Sequence, residues 1–319
     1  MNLRIDFAFK QLFGTSGNED ILIAFLNAIL QDSLESPIVS LQLKDPHLHR
    51  EHEEDKLSIL DISATLDTGT KVNIEIQLNN NHDMIKRSLY YWGRLYTSQL
   101  QKGMPYSSLH KTITINLLNF VMFPEYEAFH TKGILWNQQQ QKKLSDDIEV
   151  HIVEIPKLMQ QWRNEQINPW EDSFVRWLLL LPANEDEQLT QTLEDIAMNQ
   201  DPILQKAMNK WERRSQDSSF RQAYEARGKA LLDEAAKFAH ARNKGKKEGI
   251  EEGKIQLIRG MHKNGMPIED IAKFTSLDIE EIRNILKWPP PGSIINVRRD
   301  LNYPYFHFVL QKRKIKVEK

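Results

Sequence analysis

Asp61 and Glu75 are the residues of this chain whose types and spacing best suit chemistry, because a short hairpin would set their carboxylates face to face. Leu60, Ile62, Ala64 and Leu66 alternate with Asp61, Ser63 and Thr65. Val72, Ile74, Ile76 and Leu78 alternate with Asn73, Glu75 and Gln77. An apolar–polar period of two marks half-buried strands. Asp67-Thr68-Gly69 between them has the residue types of a tight turn, with a glycine free to take positive φ. Both apolar sets must face one core, and opposed side chains of an antiparallel pair share a face. An even loop breaks that rule, whereas a three-residue loop pairs Leu66 with Thr70, Ser63 with Asn73 and Asp61 with Glu75.

Directly opposed Cβ atoms lie roughly 4.5–5.5 Å apart. Carboxylates so placed repel, and one is pushed towards protonation unless a cation sits between them. A hard divalent ion such as Mg²⁺ suits a site of carboxylate oxygens and water. The plain alternative is an ordinary hairpin with a solvated polar face and splayed carboxylates, since antiparallel sheets commonly keep one wet face.

The elements that must position this pair can be read on either side of it. Residues 20–31 form a mostly buried helix behind a Gly/Ser/Asn loop, and Ile38 to Leu43 a strand. Met84 to Gln101 reads as a long aromatic-rich helix ended by Lys102-Gly103. Lys111 to Phe120 is a β-branched, buried strand, and Gly133–Trp136 and Ile148–Ile155 are further strands flanking a glutamine run at 138–141. The order implies a mixed sheet flanked by helices. From about Pro156 to Lys287 the chain reads as helices.

At 319 residues the chain holds one large or two ordinary domains, and 40% hydrophobic with 27% charged residues are globular values. A net charge of −2 leaves any phosphate contact to local patches. The absence of cysteine excludes disulfides, thiol nucleophiles and cysteine-ligated zinc, and it suits a cytoplasmic location. The opening Met-Asn-Leu-Arg-Ile-Asp lacks the pattern of a secretory signal. The apolar run Trp177–Pro182 is far too short to cross a membrane, so no membrane partner is expected. There is no P-loop, no Gly-x-Gly-x-x-Gly and no His-Glu-x-x-His. His47, His49 and His52 have the spacing of a zinc or nickel site but sit in a polar loop.

Gly245, Gly249 and Gly253 repeat every four residues in Lys- and Glu-rich sequence, which reads as a solvated, bendable linker. Pro267 to Leu286 gives two short amphipathic helices with a tight turn, like a helix-turn-helix. Asp278, Glu280 and Glu281 at the second helix would repel phosphates, so a small packing or oligomerising unit is the competing reading. Pro289-Pro-Pro-Gly292 ends helix, and Arg298, Arg299, Lys312, Arg313, Lys314, Lys316 and Lys319 make the end basic.

Taken together, these pieces resemble the PD-(D/E)XK nuclease superfamily, and more narrowly the Rpn group of recombination-promoting, transposase-type nucleases. Four segments carry the likeness. Asp6-Phe-Ala-Phe9-Lys10-Gln-Leu-Phe-Gly14 precedes Phe25-Leu26-Asn27; Asp55 to Asp61 leads into Asn73-Ile-Glu75-Ile-Gln77; Arg87-Ser-Leu-Tyr90-Tyr91-Trp follows; then Gly103-Met-Pro-Tyr106 and the strand at 111–120. The glycine-repeat arm and Ile268-Glu-Asp-Ile-Ala also match, so the likeness spans about residues 1–287. The segment past Trp288 departs from it.

The resemblance implies a restriction-endonuclease-like α/β core, a mixed β-sheet flanked by helices, followed by an α-helical C-terminal region. The chain then divides into a nuclease core at 1–155, a helical extension at 156–240, and the arm and helix-turn-helix-like unit at 241–288, while composition makes 289–319 a basic tail without fixed structure. The resemblance implies Mg²⁺-dependent cleavage of DNA phosphodiesters, with Mn²⁺ or Ca²⁺ as alternative ions. Asp61 and Glu75 become metal ligands, with Asp6 a further acidic contributor. Gln77 stands where the superfamily name has lysine; glutamine orients water by hydrogen bonds but does not titrate. Arg87, Tyr90 and Tyr91 become DNA contacts, although aromatics on a long helix also serve as core. A homo-oligomer through the C-terminal helices fits the same picture. The competing class is a DNA-binding or assembly module that keeps the fold without cutting.

Overall fold

A computed structural model describes residues 1–45, 47–48, 58–59, 61–80 and 83–287. The chain divides into two compact units, Met1–Ala235 and Ala236–Lys319. The first holds the sheet.

Helix α1 (Asp6–Phe13) and helix α2 (Glu19–Ile29) open the chain. Their packing follows from the aromatic spacing. Phe9 and Phe13 lie on one side of α1, and with Phe25 of α2 they form a ring cluster with centroids 4.7–6.0 Å apart. All three are fully buried, which stabilises the pair by about 2 kcal/mol or more per ring relative to exposure.

The six-stranded sheet has the order β1-β4-β5-β6-β8-β7, from β1 (Leu41–Lys44), β4 (Ile62–Leu66), β5 (Lys71–Gln77), β6 (Thr112–Leu118), β7 (His130–Asn137) and β8 (Lys142–Glu154). Two short strands, β2 (His47–Leu48) and β3 (Ser58–Ile59), pair with each other between β1 and β4 in sequence. The β1–β4 and β4–β5 pairs are antiparallel, β5–β6 and β6–β8 parallel, and β7–β8 antiparallel. Helix α3 (Met84–Thr97) makes the crossover that the parallel β5–β6 pair requires.

The hairpin has the register that the alternation requires. Ser63 pairs with Asn73 and Ile62 with Ile74, and the Leu66 and Thr70 backbones bond across the turn. Gly69 has φ of +86°, and a Cβ there would meet the His110 ring at 2.5 Å, so glycine is required twice over. The solvated-face alternative fails. Ile62, Ala64, Val72, Ile74, Ile113, Ile115 and Leu117 face the large core with α1 and α2, yet the opposite face of the sheet is covered too. Asn73, Glu75, Thr112, Thr114 and Asn116 are all fully buried there. Helix α3 seals this polar seam: the Ser88 hydroxyl donates to Asn116 Oδ1 and the Trp92 indole to the Thr112 carbonyl. The seam is buried because a parallel pair must be covered on both faces.

Beyond β8 the first unit is helical: α4 (Ile155–Arg163), α5 (Ser173–Leu179), α6 (Glu187–Asn199) and α7 (Pro202–Gln216). Helix α8 (Ser218–Lys263) then runs without a break for 46 residues. Its start packs on α1: Phe220 stacks on Phe7 at 5.2 Å, and Tyr224 Oη accepts from the Asn2 N–H. The glycine repeat lies within this helix, with open space around Gly245, Gly249 and Gly253. Each glycine costs about 1 kcal/mol relative to alanine, but the alanine-rich turns before it and Glu/Lys pairs such as Lys244–Glu248 favour continued propagation.

In the second unit, α9 (Ile268–Thr275) and α10 (Ile279–Lys287) close a small core of Ile258, Ile271 and Ile282. Asp278 and Glu281 form a capping box: Glu281 N–H donates to Asp278 Oδ1 at 2.7 Å and Asp278 N–H to Glu281 Oε2 at 3.3 Å. The acids that argued against phosphate binding therefore also start α10. The side chains of His47, His49 and His52, and the basic residues beyond Trp288, lie outside the described residues. No helix among the described residues is long and apolar enough to cross a membrane.

Candidate active site

Glu75 sits in the middle of β5, on the seam face, with no exposed surface. Its Oε1 accepts from the Asp61 N–H at 3.2 Å, and its Oε2 from Arg87 Nη2 at 3.1 Å. Asp61 lies one residue before β4, opposite Glu75 if the ladder is continued by one step. Its Oδ2 accepts from the Ile76 N–H at 2.8 Å, and its Oδ1 pairs with Lys10 Nζ at 2.9 Å. Each acid therefore binds the backbone of the other's strand, which holds both carboxylates at one mouth of the hairpin.

The electrostatics follow from that placement. Burial pushes the Glu75 carboxyl up, the Asp61 charge adds to it, and Arg87 opposes; the result is a pKa raised to about 8. An acid kept neutral near physiological pH by burial, with a second acid adding to the effect, is an arrangement that added positive charge relieves. The Arg87 guanidinium rests 5.2 Å over the Tyr91 ring. Tyr91 is buried beneath it, while Tyr90 is 41% exposed with its ring beside that of Tyr91. Gln77, two residues beyond Glu75 on the same face, is half-buried at the end of β5, and its carbonyl accepts from the Asn119 N–H.

Asp6 is placed differently from the other acids. Burial raises its pKa, but the Arg227 guanidinium of α8 grips both carboxylate oxygens and holds it below the usual value. Among the described residues no group of three or more His, Asp or Glu side chains is close enough to hold one ion, and Asp6 is held by Arg227.

Two participants were not singled out from sequence. Lys10 follows Asp6 by one helical turn, so its position on the same side of α1 was readable. Arg227, 221 residues from its partner, left no local signal.

A mixed sheet with a parallel centre, flanked by helices and carrying an acidic pair on adjoining strands, defines a PD-(D/E)XK-type nuclease fold. The family model described as PD-(D/E)XK nuclease family transposase matches residues 3–241, and the chain belongs to that family. No curated protein and no solved structure matches the chain.

Proposed function

We propose that this protein is a divalent-metal-dependent endonuclease that hydrolyses DNA phosphodiester bonds, of the kind associated with recombination and transposition. One observation carries the reading: the wholly buried Glu75 shares a hairpin mouth with Asp61. The donor set suits a hard ion, since it offers only oxygen and one of its acids is held neutral by burial and by the neighbouring acid. Asp61 and Glu75 would hold Mg²⁺, with Mn²⁺ or Ca²⁺ as substitutes. Such an ion supplies an activated water and neutralises charge on the scissile phosphate.

The chain's own residues do the rest. Gln77, on the Glu75 face, orients the attacking water by hydrogen bonds. Arg87, fixed by Tyr91, offers its donors to a phosphate oxygen. Tyr90, exposed on α3, meets the DNA backbone. The water oxygen bonds to phosphorus as one P–O ester bond breaks. The water loses a proton to solvent and the departing oxygen gains one, leaving a phosphate monoester and a hydroxyl end.

Purified protein should nick or cut plasmid DNA with Mg²⁺ or Mn²⁺, and Asp61→Ala should end cutting while the protein stays folded. Cutting that persists in Asp61→Ala refutes the reading. A second reading, DNA binding or assembly without cleavage, is supported by one feature: Lys10 and Arg87 already neutralise the two acids from within the chain. It expects salt-dependent DNA binding with no cutting under any divalent ion.

A further inference from the structure

We propose that Lys10 of α1 provides the cationic contact to the attacking water and scissile phosphate that Gln77 cannot provide. This rests on the endonuclease reading above.

Three cations lie at the acids of the site, each paired with a different one: Arg87 with Glu75, Arg227 with Asp6 and Lys10 with Asp61. Arg87 is bound to the buried Glu75 carboxylate and lies over Tyr91. Arg227 grips Asp6 with two of its nitrogens. Lys10 makes a single ion pair among the described residues, to Asp61 Oδ1, with a third of its side chain exposed. An ammonium has three donors, so two are left for solvent-side groups. Lys10 is also the cation felt by every acid of the site: it touches Asp61, and its charge acts on both Asp6 and Glu75.

Its position is built, not incidental. Helix α1 is anchored by Phe9 and Phe13 in the core. At its end, Gly14 lies so close to β4 that a Cβ would meet the Lys10 carbonyl at 3.0 Å and the Ile62 side chain at 3.2 Å. That approach holds the last turn of α1, and Lys10 with it, beside the residue preceding Ile62, which is Asp61. The side chain of position 77, by contrast, is neutral and follows Glu75 along β5. In the proposed role the ammonium gives up no proton; it orients the water and stabilises charge that builds on the phosphate oxygens.

The test is steady-state DNA cleavage by the full chain, with Mn²⁺ affinity measured by calorimetry and the unfolding midpoint recorded for each variant. Lys10→Met should lower kcat on the order of 100-fold with KM within about threefold, a loss typical of removing one charge-stabilising donor. Its Mn²⁺ affinity should stay equal or rise, because Asp61 loses a competing partner. Lys10→Arg should retain part of the rate, and Gln77→Lys added to Lys10→Met should restore at least about tenfold, since the charge returns from the neighbouring strand. Wild-type kcat in Lys10→Met overturns the proposal alone, as does a loss that tracks weakened Mn²⁺ binding or a lowered unfolding midpoint, or one that Gln77→Lys leaves unrepaired. Wild-type protein that leaves DNA intact overturns the endonuclease reading, and this proposal with it.

Discussion

The Asp61 N–H donates to Glu75 Oε1 at 3.2 Å while Asp61 Oδ2 accepts from the Ile76 N–H at 2.8 Å, so the two acids are cross-tied through each other's strands. Neither carboxylate can swing away without breaking a backbone hydrogen bond, each worth about 1 kcal/mol net and more where it is shielded from water. The acidic pair is thus a fixed feature of the hairpin.

That geometry makes metal-free stability depend on pH with an unusual sign. The Glu75 carboxyl keeps its proton to about pH 8 when folded but loses it near 4.5 when unfolded. Its contribution is fully present below pH 4.5 and falls as pH rises towards 8, by at most about 1.4 kcal/mol per pH unit. Urea melts with and without Mn²⁺ at pH 5.5 and 7.5 should show more stabilisation by the ion at pH 7.5. Glu75→Gln should remove both the pH slope and the ion effect.

Asp61→Asn keeps an acceptor for the Ile76 N–H but removes the charge that lifts Glu75. The slope between pH 4.5 and 8 should then shrink, because burial alone remains to raise Glu75. An unchanged slope would assign the whole shift to burial.

A second pH response comes from the far side of the sheet. His130 Nε2 and His151 Nδ1 are 3.0 Å apart, with Phe174 edge-on to His130, and Glu149, Lys111 and Ser33 complete the cluster. Burial, then His151 and Lys132, lowers His130 to about 4, against Asp32. A depressed histidine contributes stability that is full above pH 6.5 and lost as pH falls towards 4, here roughly 1–2 kcal/mol after allowing for partial exposure. Glu149, held at about 2 against burial by His151 and Lys111, adds a loss only below about pH 4.5. Melts of wild type and His130→Gln between pH 7 and 4.5 should show a smaller fall in the variant.

The seam beneath α3 contains polar atoms without protein partners: both amide atoms of Asn73 and the hydroxyl of Thr114, on paired positions of β5 and β6. Thr114→Val removes one such group at nearly constant shape and should stabilise the protein by about 1 kcal/mol in urea melts. A loss of similar size would mean that the hydroxyl is solvated by an internal water.

Much of this was legible in the sequence, and the limits have physical causes. Period-two alternation and the Asp67-Thr68-Gly69 turn gave the Ser63–Asn73 register, because a slip of one residue would have turned both apolar faces out. The same alternation could not reveal that Asn73 and Glu75 are buried, since the covering by Ser88 and Trp92 of α3 is a tertiary effect. Gly245, Gly249 and Gly253 weaken helix by local propensity, and only the flanking turns carry the helix through them. The Asp6–Arg227 pair, closing 221 residues, was beyond any local signal. The charges of Asp278 and Glu281 are plain in the sequence, whereas their role as a cap is plain only from geometry.

The most direct measurement is plasmid cleavage in Mg²⁺ or Mn²⁺ by wild type and Glu75→Gln side by side, with folding of both verified by near-ultraviolet circular dichroism. The expected result is nicked or linear DNA from wild type and intact supercoiled DNA from a folded Glu75→Gln protein. Equal cutting by the two proteins, or none from folded wild type with either ion, would contradict a catalytic role for the Asp61–Glu75 pair.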